Sequence, residues 1–250
     1  DLKKDYKISK TKPLIVANPK FDLEDKENFN NKTFIKINDQ LRSKLLNNQI
    51  WESLPGTELE GKEINKLTRG ELLIGDKATA YNIQNKNQSK LIHIASHAYY
   101  LDNSMEYNPL LKSGIVLAGA NNPDFNNEDD GYLTALEISK LDWKDSELVV
   151  ISACESGLGD IKSGEGVYGI KRAIAVAGAR SSLLSLWKVN DIATAAFMKS
   201  FYSKLIKNNG RAKSLAETQE EFRRHSVKAW RHPNVWAAFQ LSGDWRPIDF

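Results

Sequence analysis

The chain has 250 residues, 41% of them hydrophobic, which is enough to fill one large core, and it reads as a single globular unit over residues 1–250. Its 35 Lys+Arg and 32 Asp+Glu leave a net charge of only +3 with the signs mixed along the chain, which argues against nucleic acid as a partner. No stretch reaches the ~18 apolar residues that cross a membrane, and Asp1–Lys12 is charged and polar rather than signal-like, so a cytoplasmic protein without membrane contact is expected.

The chain begins at Asp1 without a methionine, so it is expected to be a piece of a larger protein, with residues 1–11 as a linker or tail. Short apolar runs then alternate with helical patterns, as in a parallel sheet covered by helices. The predicted strands are Leu14–Ala17, Phe34–Ile37, Leu91–Ala95, Ile115–Ala118, Leu148–Ser152 and Ser182–Trp187. Several are continuous apolar runs, as expected of strands buried on both faces. Thr57 with Glu60, and Thr134 with Glu137, have the spacing of a capping box and predict helix starts. Ile170, Ala173, Ile174 and Ala177 form one apolar helical stripe that Gly178 would end. Asn190 or Asp191 can cap the next helix, which carries Phe197, Phe201 and Leu205 on one face. A last, strongly charged helix is predicted over about 212–225. Two long polar stretches, Tyr99–Lys112 and Ala120–Gly131, follow predicted strands and should border a site at the carboxyl edge of the sheet.

The single cysteine excludes an intrachain disulfide and a Cys-rich zinc cage, and no metal or organic cofactor is called for. Cys154 directly follows the run Leu148–Ile151, at the carboxyl end of a buried strand. Position alone leaves two readings, a small buried hydrophobe or a reactive thiol. His97 ends a second apolar strand and should project from the same edge. A thiol, with a reference pKa of ~8.5, needs a nearby imidazole to become a good nucleophile at neutral pH. His93 lies inside its apolar run and reads as a hydrogen-bonded core residue, while His225 and His232 read as surface residues. Ser96, Ser152 and Ser156 sit in no Gly-x-Ser-x-Gly elbow, and no Gly-Lys-Ser/Thr follows the glycines from Gly157 to Gly169, so serine hydrolysis and nucleotide binding are disfavoured.

Ile94-Ala95-Ser96-His97, Ser152-Ala153-Cys154-Glu155-Ser156-Gly157, Gly164-Glu165-Gly166-Val167-Tyr168-Gly169, Ser185-Leu186-Trp187-Lys188-Val189-Asn190-Asp191 and Trp236-Ala237-Ala238-Phe239 together resemble a CHAT domain, from about Lys12 to Trp245. The resemblance implies a caspase-like α/β fold: a mostly parallel sheet of about six strands with helices on both faces. It implies a cysteine endopeptidase of the caspase, separase and legumain group, with His97 and Cys154 as its dyad and a protein or peptide as its substrate. It also implies a TPR array as a regulatory neighbour and a role in bacterial defence or signalling. The family usually has glycine directly after the histidine, where this chain has Ala98. Its N–H, with that of Cys154, is the expected oxyanion donor, and a positive φ there would cost the alanine ~1 kcal/mol. Ser152, Trp187 and Asp191 are the expected substrate-binding residues. Neutral Ser152, an apolar Trp187 wall and an Asp191 engaged as helix N-cap predict an uncharged, aliphatic P1 residue. The competing reading is an interaction module that keeps the peptidase fold without cleaving. A small-molecule hydrolase fits the open polar loops less well.

Overall fold

Leu14–Pro19, a run of apolar residues buried on both faces, forms β1 beside the centre of a mixed sheet. The structure, a computed structural model, describes residues 11–23, 46, 49–86, 88–101, 108–122, 129–155 and 165–250, with the backbone alone for residues 154, 155, 165 and 166. The predicted strand at Phe34–Ile37 and the Gly157–Gly164 part of the glycine run lie outside these residues.

Chain order continues with α1 (Pro55–Thr68), β2 (Glu71–Gly75), α2 (Ala80–Asn85), β3 (Leu91–Tyr100), β4 (Ser113–Val116), β5 (Tyr132–Thr134) and α3 (Ala135–Ile138). There follow β6 (Leu148–Glu155), α4 (Glu165–Val176), β7 (Ser181–Ser185), α5 (Asp191–Leu205), α6 (Arg211–Arg223), α7 (Pro233–Trp236) and β8 (Phe239–Gly243). Six strands lie side by side in the order β2-β1-β3-β6-β7-β8. The first five are parallel and β8 is antiparallel to β7. The fold is therefore the expected α/β class, with a mostly parallel sheet. Beyond the reach of β1, the outer half of β3 takes β4 as an antiparallel partner on that edge, and β5 extends β4.

Helices cover both faces. On one, α2, α3 and α4 pack over Ile92, Ile94, Ile115, Val149 and Ile151. On the other, α1, α5, α6 and α7 pack over Ile15, Leu91, Leu148, Val150 and Leu183. Alternate residues of each central strand thus meet apolar partners on opposite sides, which is why these strands show no polar alternation. Phe197 stacks on Phe239 with ring centroids 4.5 Å apart, joining α5 to the edge strand β8. No described helix is long and apolar enough to cross a membrane.

Several local expectations hold. Thr134 accepts from Glu137 N while Glu137 accepts from Thr134 N, completing the capping box of α3. Ile170, Ala173, Ile174 and Ala177 are all buried, and Gly178 leaves the helix at φ +100°, a conformation that would strain a Cβ-bearing residue. The other capping box does not form. Pro55, with its φ preset for a first helical turn, starts α1 early, and Leu54 stands at the cap. Thr57 instead donates to Leu54 O and accepts from Asn18 N. Glu60 turns into the core, where its Oε1 lies 3.0 Å from His93 Nε2, and His93 Nδ1 is 3.2 Å from the Tyr202 hydroxyl. His93 is therefore the hydrogen-bonded core histidine expected. Burial, then the Glu60 carboxylate, pushes the Tyr202 phenol up.

Candidate active site

β3 and β6 run parallel in register from Leu91↔Leu148 through His97↔Cys154 to Ala98↔Glu155. Register partners in neighbouring parallel strands share a face of the sheet, and the strands lie about 4.8 Å apart. His97 and Cys154 are thus brought side by side near the carboxyl ends of two central strands. Neither follows its strand, as expected from the apolar runs; both lie within it. β3 runs on to Tyr100 because β4 replaces β1 as its partner, pairing Val116 with His97.

The histidine is buried, 7% exposed, and its surroundings fix its chemistry. Phe21 and Trp51 flank the imidazole, each with ring centroids 5.4 Å away. Nε2 lies 2.9 Å from the backbone carbonyl of Glu52. A carbonyl only accepts, so Nε2 carries the hydrogen and donates. In the neutral ring the lone pair is then on Nδ1, which is buried and has no hydrogen-bond partner among the described residues. Burial lowers the His97 pKa from its ordinary 6.5, and the Glu52 carbonyl opposes that shift. Lys188 lowers it further and Asp191 raises it. The lowered pKa and the Nε2–H donor together favour a neutral ring whose Nδ1 is unpartnered among the described residues.

Glu52, Trp51 and Phe21 were not singled out in the sequence. Glu52 acts through its main chain, which leaves no residue-type signal, and the two aromatics come from segments between predicted elements. Tyr132 accepts from Trp51 Nε1 at 3.0 Å, so the indole is fixed at both its face and its polar tip.

The expected substrate-binding residues surround this point unevenly. Ser152 sits two residues before Cys154, 6% exposed, with its Oγ unpartnered among the described residues. Trp187 is half-buried beyond β7 and donates from Nε1 to Asn234 O. Asn190, not Asp191, is the N-cap of α5, its Oδ1 accepting from Ile192 N and Ala193 N. Asp191 is the first helical residue, so a capping role cannot be the reason for leaving its charge out of the pocket. Its Cβ instead touches the first turn of α1: a Cβ added at Gly56 would stand 2.3 Å from it, so only glycine permits this approach. Ala98 lies in β3 between Ile115 of β4 and Glu155 of β6, and it is not among the residues with positive φ. The strain expected from replacing glycine therefore does not arise. No group of three or more His, Cys, Asp or Glu suited to a metal occurs among the described residues.

Fold and site together define an α/β protein with a histidine and a cysteine in register at the carboxyl edge of its sheet. The chain belongs to the CHAT domain family, which it matches over residues 2–244. It is 27% identical over 229 residues to tetratricopeptide repeat protein 28 of Homo sapiens, and 28% identical over 230 residues to the Mus musculus protein of that name. Each match covers 82% of this chain but 9% of the relative, so the chain spans a small fraction of those proteins. Among solved structures it aligns with the Arg-specific cysteine proteinase gingipain R at a TM-score of 0.47 and 10% identity, covering 94% of this chain and 46% of that one.

Proposed function

We propose that this chain is a cysteine endopeptidase in which His97 is the general base and Cys154 the nucleophile. The observation that carries the reading is the His97↔Cys154 register together with the Glu52 carbonyl, which leaves Nδ1 as the free base. In this reading Nδ1 takes the thiol proton as sulfur attacks the scissile carbonyl carbon, forming the C–S bond and an oxyanion. The proton then passes from His97 to the leaving amine as the C–N bond breaks. Water, deprotonated by the same nitrogen, attacks the acyl-enzyme, the C–S bond breaks, and the thiol is restored. The Cys154 N–H stabilises the oxyanion, a contribution that can reach ~3 kcal/mol per donor. A contribution from Ala98 N–H requires that its part of the sheet open in the substrate complex.

The single cysteine makes the test direct. Alkylation of Cys154 by iodoacetamide, followed by intact mass, should be at least tenfold faster at pH 7 in the wild type than in His97→Gln. Cys154→Ala should abolish cleavage of a cognate protein while remaining folded. Equal alkylation rates in wild type and His97→Gln would remove the dyad.

The position of Ala98 between two strands supports a second reading, a CHAT interaction module that keeps the fold without cleaving. A folded wild type whose Cys154 reacts rapidly but which cleaves no protein presented by its partner would favour it. The names of the human and mouse relatives support a TPR array as the regulatory neighbour. The bacterial defence or signalling setting rests on the family resemblance.

A further inference from the structure

The segment that gives His97 its hydrogen-bond acceptor has no regular secondary structure, so something must hold the Glu52 carbonyl in place. Asn121, in the turn that follows β4, does so with one side chain. Its Oδ1 accepts from Trp51 N at 2.7 Å, and its Nδ2 donates to Trp51 O at 3.1 Å and to Asp22 Oδ1 at 2.8 Å. Its own N–H donates to Phe21 O at 3.0 Å. The carboxamide thus pairs with both main-chain groups of Trp51 as a strand neighbour would. The opposite amide orientation would set the NH₂ against the Trp51 N–H and the oxygen against two acceptors, so the network assigns the orientation. The two segments joined in this way are the ones that carry Phe21 and Trp51, the aromatic walls of His97, and the next carbonyl along is the acceptor of Nε2–H.

We infer that Asn121 is a positioning residue: by clamping Trp51 to the Phe21–Asp22 segment it aims the Glu52 carbonyl at His97 and so keeps the imidazole in the Nε2–H form with Nδ1 free. The inference deepens the proposed dyad and rests on it for its catalytic meaning, but its structural content concerns the tautomer of His97 alone. Among the described residues Asn121 makes no hydrogen bond to His97. Loss of the clamp changes which ring nitrogen carries the proton, and only through that the reactivity of Cys154.

The test is nitrogen NMR of the imidazoles in the full chain at neutral pH, with His97 assigned by its loss in His97→Gln; only four histidines need to be separated. The wild type should show the Nε2–H pattern for His97, and Asn121→Ala should average the two ring nitrogens. Iodoacetamide alkylation of Cys154 should fall about tenfold, the equivalent of one net hydrogen bond's bias. Asn121→Asp keeps the size and the acceptor for Trp51 N, removes the donors to Trp51 O and to Asp22 Oδ1, sets a carboxylate against that of Asp22, and should shift the tautomer in the same direction. It is the variant read if Asn121→Ala does not fold. An Nδ1–H pattern in the wild type, or a wild-type pattern in a folded Asn121 variant, overturns the inference. Failure of the dyad has a different sign: Cys154 would then react at the same rate with and without His97, whatever the tautomer.

Discussion

Replacing Trp51 by alanine should separate the two things the indole does. The side chain is buried, walls the His97 ring at 5.4 Å, meets Tyr132 edge-on at 6.5 Å and donates from Nε1 to the Tyr132 hydroxyl. Truncation of a buried tryptophan costs about 3–5 kcal/mol. Within that, the edge contact contributes about 1 kcal/mol and the hydrogen bond about 1 kcal/mol net. Water would also reach the imidazole. Burial is the largest cause lowering the His97 pKa, so that pKa should climb back toward 6.5 in Trp51→Ala. Trp51→Phe keeps the apolar wall and loses only the N–H. It should cost about 1–2 kcal/mol and leave His97 nearly as depressed as before. The assays are urea unfolding for stability and histidine proton NMR for the titration, with the pH midpoint of Cys154 alkylation as a functional check. Should folded Trp51→Ala titrate His97 where the wild type does, the aromatic wall is not what keeps the base neutral, and the burial argument fails.

The buried Glu60–His93–Tyr202 group gives a second expectation: Glu60→Leu leaves His93 Nε2 without its partner and should cost about 3 kcal/mol, whereas Glu60→Gln keeps an acceptor and should cost about 1. Urea unfolding of both variants checks this, and equal losses would mean that the polar contact carries no stability. The depressed His97 pKa also links stability to pH. The neutral ring's contribution is complete above its unfolded value of 6.5 and is lost as pH falls through 6.5 toward the lower folded value. The wild type should therefore lose more stability than His97→Gln between pH 7.5 and 5, and parallel losses would refute the shift. Charge at the site is tunable as well: Asp191→Asn should lower the His97 midpoint and Lys188→Met should raise it, and both shifts should shrink in high salt. Shifts in the reverse sense would place those side chains elsewhere.

The sheet was legible where burial on both faces leaves an unbroken apolar run. Leu14–Ala17, Leu91–Ala95 and Leu148–Ser152 fall inside β1, β3 and β6. The strands that escaped notice are short or at the edge. Only Leu73 of Glu71–Gly75 is buried, and Phe239–Gly243 has a single buried residue at its start, so neither shows the pattern of a central strand. The extension of β3 past Ala95 was hidden for another reason. Tyr99 and Tyr100 read as the start of a polar loop, and what makes them strand is the antiparallel partner β4, which contributes no local signal. Cys154 and His97 stood out because such residue types beside apolar runs are rare, and the register of β3 with β6 brings the two positions together. The Glu52 carbonyl could not, since main-chain chemistry is carried by every residue alike. Thr57 and Glu60 show the converse failure, because a good local spacing was overridden by Pro55 at the helix start and by the packing of Glu60 against the core histidine His93.

The surroundings of His97 are assembled by the same contacts that pack this side of the sheet. Phe21, Trp51, Tyr99 and Tyr132 form one buried cluster, and two of the four are the walls of His97. Glu52 leads directly into α1, whose first turn is pinned against α5 by the closeness that Gly56 allows at Asp191. α1 in turn reaches β3 through Glu60 and His93, four residues before His97 on the same strand parity. The acceptor of the Nε2 hydrogen is thus fixed from α1 on one side and from the aromatic cluster on the other, while the ring itself is fixed by β3. A substitution that loosens any of these supports should alter the protonation of His97 before it unfolds the sheet, because the supports lie at the carboxyl edge and the register of β3 with β6 is set by the apolar runs beneath. Depth therefore decides what a change touches: changes near Leu91 and Leu148 should act on folding alone, and changes near Phe21, Trp51 and Gly56 on folding and on His97 together.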